Sequence, residues 1–341
     1  MTERLNGGMI RKYFMNINRI GGLIMKKRII GVVGMGHVGA HVAFVLGMRG
    51  AADVVKICDI NEQKAISERQ DLMDAVLFMP HHVDYVIAKY EELGDCDIII
   101  NAMGKVELCA TGSRDDEMGF TVPGVADYIP KIMKGGFDGY FINITNPCDV
   151  VTHLIREKSG LPSHKVMGTG TGLDTSRLVS AISQQTGIDH HSFTAFMFGE
   201  HGNSQMTPWS LVKFAGQPFE ELAEHDERFR FDKAELQERA IKGGWYTFMG
   251  KRCTEYGIAS TAVRMAEAIL HDEKGIMAAS VELDGQYGET GIYAGVPAVI
   301  GENGVEQVME YNLTAEELKN FKECCQKIRD NIAKADALLA K

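Results

Sequence analysis

A glycine-rich hexapeptide, Gly34-Met35-Gly36-His37-Val38-Gly39, stands between the apolar run Arg28 to Val33 and the apolar run Ala40 to Met48. Strand, tight turn and helix in that order make a cradle for phosphate. The first glycine turns the chain, the second lets a pyrophosphate approach the backbone, and the third packs helix on strand, with the anion at the helix N-terminus. Asp59 follows the run Val54 to Cys58, twenty residues beyond Gly39. A carboxylate there accepts hydrogen bonds from a ribose diol and repels a 2′-phosphate, so the spacing predicts NAD rather than NADP. The plainer alternative is that the glycines only pack a helix on a sheet and that Asp59 caps the next helix.

Other reactive side chains fall where predicted strands end. Asn146 follows the run Tyr140 to Thr145 and precedes Pro147. Asp174 and Arg177, three apart near the start of a predicted helix, project from one face. His201 lies in Gly199-Glu200-His201-Gly202-Asn203-Ser204, where flanking glycines let the backbone bend. An imidazole titrates near working pH and a guanidinium grips carboxylates, but singly each of these residues reads equally well as an ordinary polar group.

The elements that must position them alternate. Arg28 to Val33, Val54 to Cys58, Asp97 to Asn101 and Tyr140 to Thr145 read as buried strands, with Asn61 to Met79 and Val122 to Lys134 as helices between them. That pattern predicts an α/β, Rossmann-type doubly wound parallel sheet over residues 26–168, ending near Gly168-Thr169-Gly170-Thr171-Gly172. Residues 169–341 carry longer helical patterns, Leu173 to Thr186, Lys233 to Met249, Ala259 to Leu270 and Thr314 to Leu339, with short strands at Phe193 to Phe198 and Ala278 to Leu283. They predict a mixed α+β substrate domain. Residues 1–25 show no period and precede a second possible start at Met25; they read as a disordered or mis-started extension, with a transit segment as the alternative.

Gly34 to Gly39, Thr145-Asn146-Pro147, Leu173-Asp174-Thr175-Ser176-Arg177 and Gly199 to Ser204 occur in the order and spacing of the L-lactate/malate dehydrogenase family. From about Met25 to the C-terminus the chain resembles that family, most of all its L-2-hydroxyisocaproate and bacterial L-lactate dehydrogenases, through Gly-Glu-His-Gly-Asn-Ser-Gln at 199–205. The resemblance implies an NAD-dependent oxidoreductase acting on a small 2-oxo or 2-hydroxy monocarboxylate. It casts His201 as proton donor and acceptor, Asp174 as the carboxylate holding it, and Arg177 as a two-pronged clamp on the substrate carboxylate. It adds Arg114, on a mobile loop flanked by Gly104 and Gly112, as a carbonyl-polarising group, Asn146 at the substrate oxygen, and Thr254 in the pocket wall. Beyond the hexapeptide and Asp59, Asn101 and Asn146 complete the expected cofactor contacts.

The residues before Arg114, Val106 to Thr111, include no cation to pair with a second substrate carboxylate, and Glu107 would repel one, which disfavours malate. Lactate and branched 2-hydroxy acids both stay open, because one methylene in a pocket is worth only about 1–3 kcal/mol. A non-catalytic NAD sensor would need only the glycines and Asp59. The net charge of −10 argues against nucleic-acid and anionic-membrane partners. The uncharged stretch Ile29 to Met48 is broken by five glycines and two histidines, which predicts a strand, turn and helix rather than a membrane span. Seven scattered cysteines without a CxxC pair fit free thiols in the cytoplasm. No metal site is expected: the His37/His41, His81-His82 and His190-His191 pairs lack further ligands at suitable spacing. The resemblance implies a homotetramer, or failing that a dimer.

Overall fold

The computed structural model describes residues 18–20, 23–108 and 114–340, with side chains at 26–108 and 115–340. Its frame is a nine-stranded sheet. From one edge, the parallel strands are Asp84–Ile87, Val54–Cys58, Ile29–Val33, Ile98–Asn101, Tyr140–Asn143 and Val166–Gly168. Numbered along the chain this is the order 3-2-1-4-5-6, so the winding reverses between Ile29–Val33 and Ile98–Asn101 and opens a crevice at their carboxyl ends. Ile30, Val32, Ile98, Ile99 and Ile100 are fully buried. Burial on both faces is why these strands read as continuous apolar runs instead of alternating ones.

The last three strands, Gly275–Asp284, Thr290–Gly301 and Gly304–Val308, run antiparallel and extend the same sheet through a single pairing, Ser280 opposite Gly168. The sequence pattern predicts only Ala278 to Leu283 there. Thr290–Gly301 contains Gly291, Gly295, Pro297 and Gly301, residues that read as breakers, yet it is held along nearly its whole length by Gly275–Asp284. The expected strand Phe193 to Phe198 is shorter: Phe193–Thr194 joins a small three-stranded sheet, while Phe198 and Gly199 make isolated bridges to Met206 and Gly295.

Helices His37–Arg49, Glu62–Ala75, Met118–Lys134 and Cys148–Ser159 connect the parallel strands, and Gly172–Thr186, Lys233–Lys251, Tyr256–Leu270 and Ala315–Leu339 build the second half. The last begins with a reciprocal cap in which Thr314 and Glu317 each bond the other's backbone N–H. Ahead of the first parallel strand, Asn18–Ile20 pairs antiparallel with Leu23–Met25. Among the described residues no helix is long and apolar enough to cross a membrane.

Candidate active site

The glycine turn closes the crevice at its deep end. Gly34 takes a φ of +90°, and a Cβ there would stand 2.8 Å from the Ala102 carbonyl oxygen; one on Gly39 would stand 1.8 Å from that of Gly34. Gly36 faces open space, with no atom within 4 Å of where its Cβ would lie. Helix His37–Arg49 starts there with no side-chain cap and no acid in its first turn, so its leading N–H groups are available to an anion. Asp59 leans back onto the turn: Oδ2 accepts the Met35 N–H at 2.6 Å and Oδ1 accepts the Asn61 N–H at 2.8 Å. The cap of the following helix is Asn61, which takes that role from Asp59. Met35 offers the crevice only its backbone, since its side chain is buried in the core. His37 Nδ1 lies 3.1 Å from Glu255 Oε1, joining the turn to the substrate half, and Val38 lines the cavity beside it.

Asn101, expected among the cofactor contacts, does not border the cavity with its side chain. Its side chain is fully buried: Nδ2 donates to Asn143 Oδ1 at 2.8 Å and Oδ1 accepts the Tyr128 hydroxyl. Asn143 in turn bonds the Thr145 and Cys148 carbonyls and the Thr152 hydroxyl. These amides lock two strand ends together and thereby aim Asn146, which does line the cavity. Asn146 Nδ2 donates to Glu117 Oε2 at 3.4 Å, and its buried Oδ1 has no partner among the described residues. An orphaned acceptor beside an uncapped helix end fits a ligand that brings donors and phosphate.

On the opposite wall a single carboxylate gathers a base and a cation. Asp174 is completely buried near the start of Gly172–Thr186; Oδ2 sits 2.5 Å from His201 Nδ1, and Oδ1 accepts from Arg177 Nη1 at 2.7 Å. With side-chain exposures of 11% for His201 and 15% for Arg177, this is no solvated surface pair. A carboxylate withdrawn from water must be matched in charge and hydrogen bonds, and these partners do both. Gly243 makes the room: a Cβ there would meet Arg177 Cδ at 2.8 Å.

His201, Arg177, Asn146 and Thr254 border one cavity of about 240 Å³ together with Gly36, His37 and Val38, a size suited to a small molecule. Trp245 and Phe248 from Lys233–Lys251, with Leu173 and Ile258, supply its apolar lining, which the sequence reading did not single out. The signal was available, because Gly243-Gly244 inside a helical pattern costs about 1 kcal/mol per glycine unless something must pack there. Cys253 also lines it, with burial and then Glu255 pushing its thiol up to about 11. Glu107 is exposed at the mouth, so water screens its charge; the buried acid is Glu117, whose Oε1 accepts the Lys105 N–H at 2.6 Å. Lys105 borders the cavity too, its ammonium 5.9 Å from the Phe120 ring centroid. Arg114 opens the turn Arg114–Glu117, but its side chain and residues 109–113, including Gly112, lie outside the described residues.

Family comparison decides what this arrangement belongs to. A model described as the lactate/malate dehydrogenase NAD binding domain matches residues 28–168, and the alpha/beta C-terminal domain of the same family matches 171–339. The chain belongs to the lactate/malate dehydrogenase family. It is 37% identical over 304 residues to an L-lactate dehydrogenase of Fusobacterium nucleatum, covering 89% of this chain and 95% of that one. L-lactate dehydrogenase 1 of Bifidobacterium longum is 36% identical over 309 residues, covering 90% and 98%. The solved structure of the minor L-lactate dehydrogenase of Enterococcus mundtii superposes with a TM-score of 0.86 at 30% identity, covering 90% and 98%. Cryptosporidium parvum malate dehydrogenase reaches 0.84 at 26% identity, covering 92% and 100%, so the fold alone does not separate the two activities.

This lactate/malate dehydrogenase family member is an NAD-dependent 2-hydroxy-acid oxidoreductase. Replacing Asp59 with serine is expected to lower the ratio of kcat/KM for NADH over NADPH at least tenfold, as repulsion of a 2′-phosphate is lost. Because Asp59 also holds the Met35 N–H, the KM for NADH should rise in the same variant. Steady-state kinetics with both cofactors check this, and an unchanged ratio removes Asp59 from the role.

Proposed function

We propose that the enzyme reduces a 2-oxo monocarboxylate to the L-2-hydroxy acid in the manner of an L-lactate dehydrogenase, with pyruvate and L-lactate as the pair. The observation carrying this reading is the meeting of His201 and Arg177 at one cavity, through the buried Asp174, beside the glycine turn. NAD in its reduced form supplies the hydride for the carbonyl carbon. Arg177 grips the substrate carboxylate, its planar fork carrying five N–H donors in all. His201, held at Nδ1 by Asp174, passes a proton from Nε2 to the carbonyl oxygen, and takes it back in the reverse direction. Asp174 favours the imidazolium that this requires. Asn146 bonds the same oxygen, Arg114 polarises the carbonyl, and Thr254 shapes the wall. Gly34, Gly36 and Gly39, the Met35 backbone, His37, Val38 and Asp59 hold the cofactor, with residues 26–168 as its domain and 169–341 as the catalytic domain, to which Asn146 and Arg114 reach across from the first.

A monocarboxylate suits the charge of the wall. Glu117 is 5% exposed, where like charge is least screened, and Lys105 turns toward Phe120. Trp245, Phe248, Leu173 and Ile258 favour a second reading in which branched substrates such as 2-oxoisocaproate are also accepted. Comparing kcat/KM for pyruvate, 2-oxoisocaproate and oxaloacetate tests both: one of the first two exceeds oxaloacetate at least tenfold. Oxaloacetate as the best substrate overturns the reading, and absence of NADH turnover with all three favours a sensor.

The same proposal extends to assembly and place. Leu77 and Phe78 are 81% and 83% exposed, and Tyr246, Met249 and Tyr256 add apolar surface, which supports a homo-oligomer, a tetramer or a dimer. Six buried free cysteines among the described residues agree with a cytoplasmic enzyme.

A further inference from the structure

The C-terminal helix carries a polar cluster that the chemistry above does not use. Phe321, Cys325 and Ile328 of Ala315–Leu339 share a buried apolar cluster with Phe198, and Ala335 shares another with Met118 and Val122. Asn331 falls between them and is 1% exposed. Its Nδ2 donates to Asp115, 3.1 Å from each carboxylate oxygen, and to Glu200 Oε1 at 3.4 Å. Its Oδ1 accepts from Lys327 Nζ at 3.4 Å and from Lys334 Nζ at 2.9 Å, and Lys327 also reaches Asp115 Oδ2 at 3.1 Å. Two carboxylates, which only accept, face one end of the amide and two ammoniums, which only donate, face the other, so it has a single orientation. Asp115 follows Arg114 in the turn Arg114–Glu117, and Glu200 precedes His201 and braces its turn by accepting the Ser204 hydroxyl at 2.6 Å. One side chain therefore joins the neighbours of two residues assigned to the reaction.

We propose that Asn331 is a positioning residue: by bonding Asp115 and Glu200 at once, it fixes the turn that begins with Arg114 against the turn that carries His201. This rests on the proposed reaction, in which a guanidinium and an imidazole address the same carbonyl oxygen. They come from different halves of the chain, so the fold must set their separation. Catalysis tolerates little error there, since a misplacement of about 1 Å can cost about 10²-fold in rate. The amide sets that separation from outside, as Asn331 does not border the cavity. Two carboxylates on one amide repel each other, and Lys327 offsets this. Burial disfavours its ammonium, but the Asp115 bond and the charges of Asp115, Glu200 and Asp330 outweigh burial and raise its pKa. An apolar side chain of similar size would fill the same gap between the two clusters, yet leave both carboxylates without their donor.

Asn331→Asp in the full-length enzyme keeps the size of the side chain, removes both donors and sets a third carboxylate against Asp115 and Glu200. With it, kcat for pyruvate reduction should fall about three- to thirtyfold, the range of coupling within one polar network. The KM values for NADH and pyruvate should change little, because the glycine turn and Arg177 are held by other contacts. Adding Asp115→Asn puts a donor opposite the new carboxylate, so the double variant should recover most of the lost kcat. A role in packing alone would lower Tm, leave kcat intact and give no such recovery. Wild-type kcat in the folded single variant, or a double variant no faster than the single, overturns the proposal. If Asn331→Asp does not fold, Lys327→Met decides, at a position 39% exposed. It strips the cluster of a cation and should lower kcat in the same way; an unchanged kcat there overturns the proposal. If instead the wild-type enzyme oxidises no NADH with pyruvate, 2-oxoisocaproate or oxaloacetate, or His201→Gln turns over normally, it is the parent reading that falls.

Discussion

His201→Gln should lower kcat for pyruvate reduction by about 10²–10⁴-fold, the range typical for loss of a positioned proton donor, or about 3–5 kcal/mol of transition-state stabilisation. Glutamine can donate hydrogen bonds, so the carbonyl oxygen keeps a polar neighbour and Asp174 can keep a partner. It cannot transfer a proton at neutral pH. NADH binding, measured by fluorescence titration, should change little, because the glycine turn and Asp59 are separate from the histidine turn. The latter is tied down elsewhere: Gly199 exchanges backbone bonds with Gly295, Phe198 with Met206, and Glu200 is bonded by Ser204 and Asn331. Loss of the imidazole should therefore subtract chemistry while leaving the scaffold in place. Turnover near the wild-type rate, in single-turnover absorbance traces as well as at steady state, contradicts the assignment.

What could be read beforehand follows from how local each signal is. The glycine turn is local: its three glycines act within one strand, one turn and one helix, and the structure gives each a distinct contact or opening. The set of His201, Asp174 and Arg177 was visible only through motif order, since no spacing along the chain says that residues 27 apart share a hydrogen bond. Asn101 is the complementary case: a polar residue at a strand's end resembles a ligand contact, and only the folded chain shows the facing Asn143 and Tyr128 occupying its amide. Glu117 and Trp245 were passed over because what they face, the Lys105 N–H and the cavity, is brought to them by other elements of the fold. The antiparallel hairpin was read short because glycine and proline that normally break strands are tolerated once neighbours supply the pairing on both sides.

Arg177→Lys tests the clamp, and the expected cost is a fall in kcat/KM for pyruvate of at least about 10²-fold, carried largely by KM. The charge survives, so long-range attraction of the substrate does too; what disappears is a planar fork. In the structure Nη1 is already committed to Asp174 Oδ1 at 2.7 Å, and a lysine ammonium would have to choose between that carboxylate and the substrate's. Each charge-assisted hydrogen bond is worth about 1.5–3 kcal/mol, so losing the second prong and loosening the first reach two orders of magnitude without any change of charge. The slimmer lysine stem also leaves space against Gly243, where the Arg177 Cδ now fits closely, so the ammonium is less well aimed. Because Asp174 holds His201 through its other oxygen, a smaller fall in kcat should accompany the rise in KM. A lysine variant with wild-type kcat/KM would mean that the substrate carboxylate is held elsewhere, and the Asp174–Arg177 pair would then be a structural ion pair that happens to border the cavity.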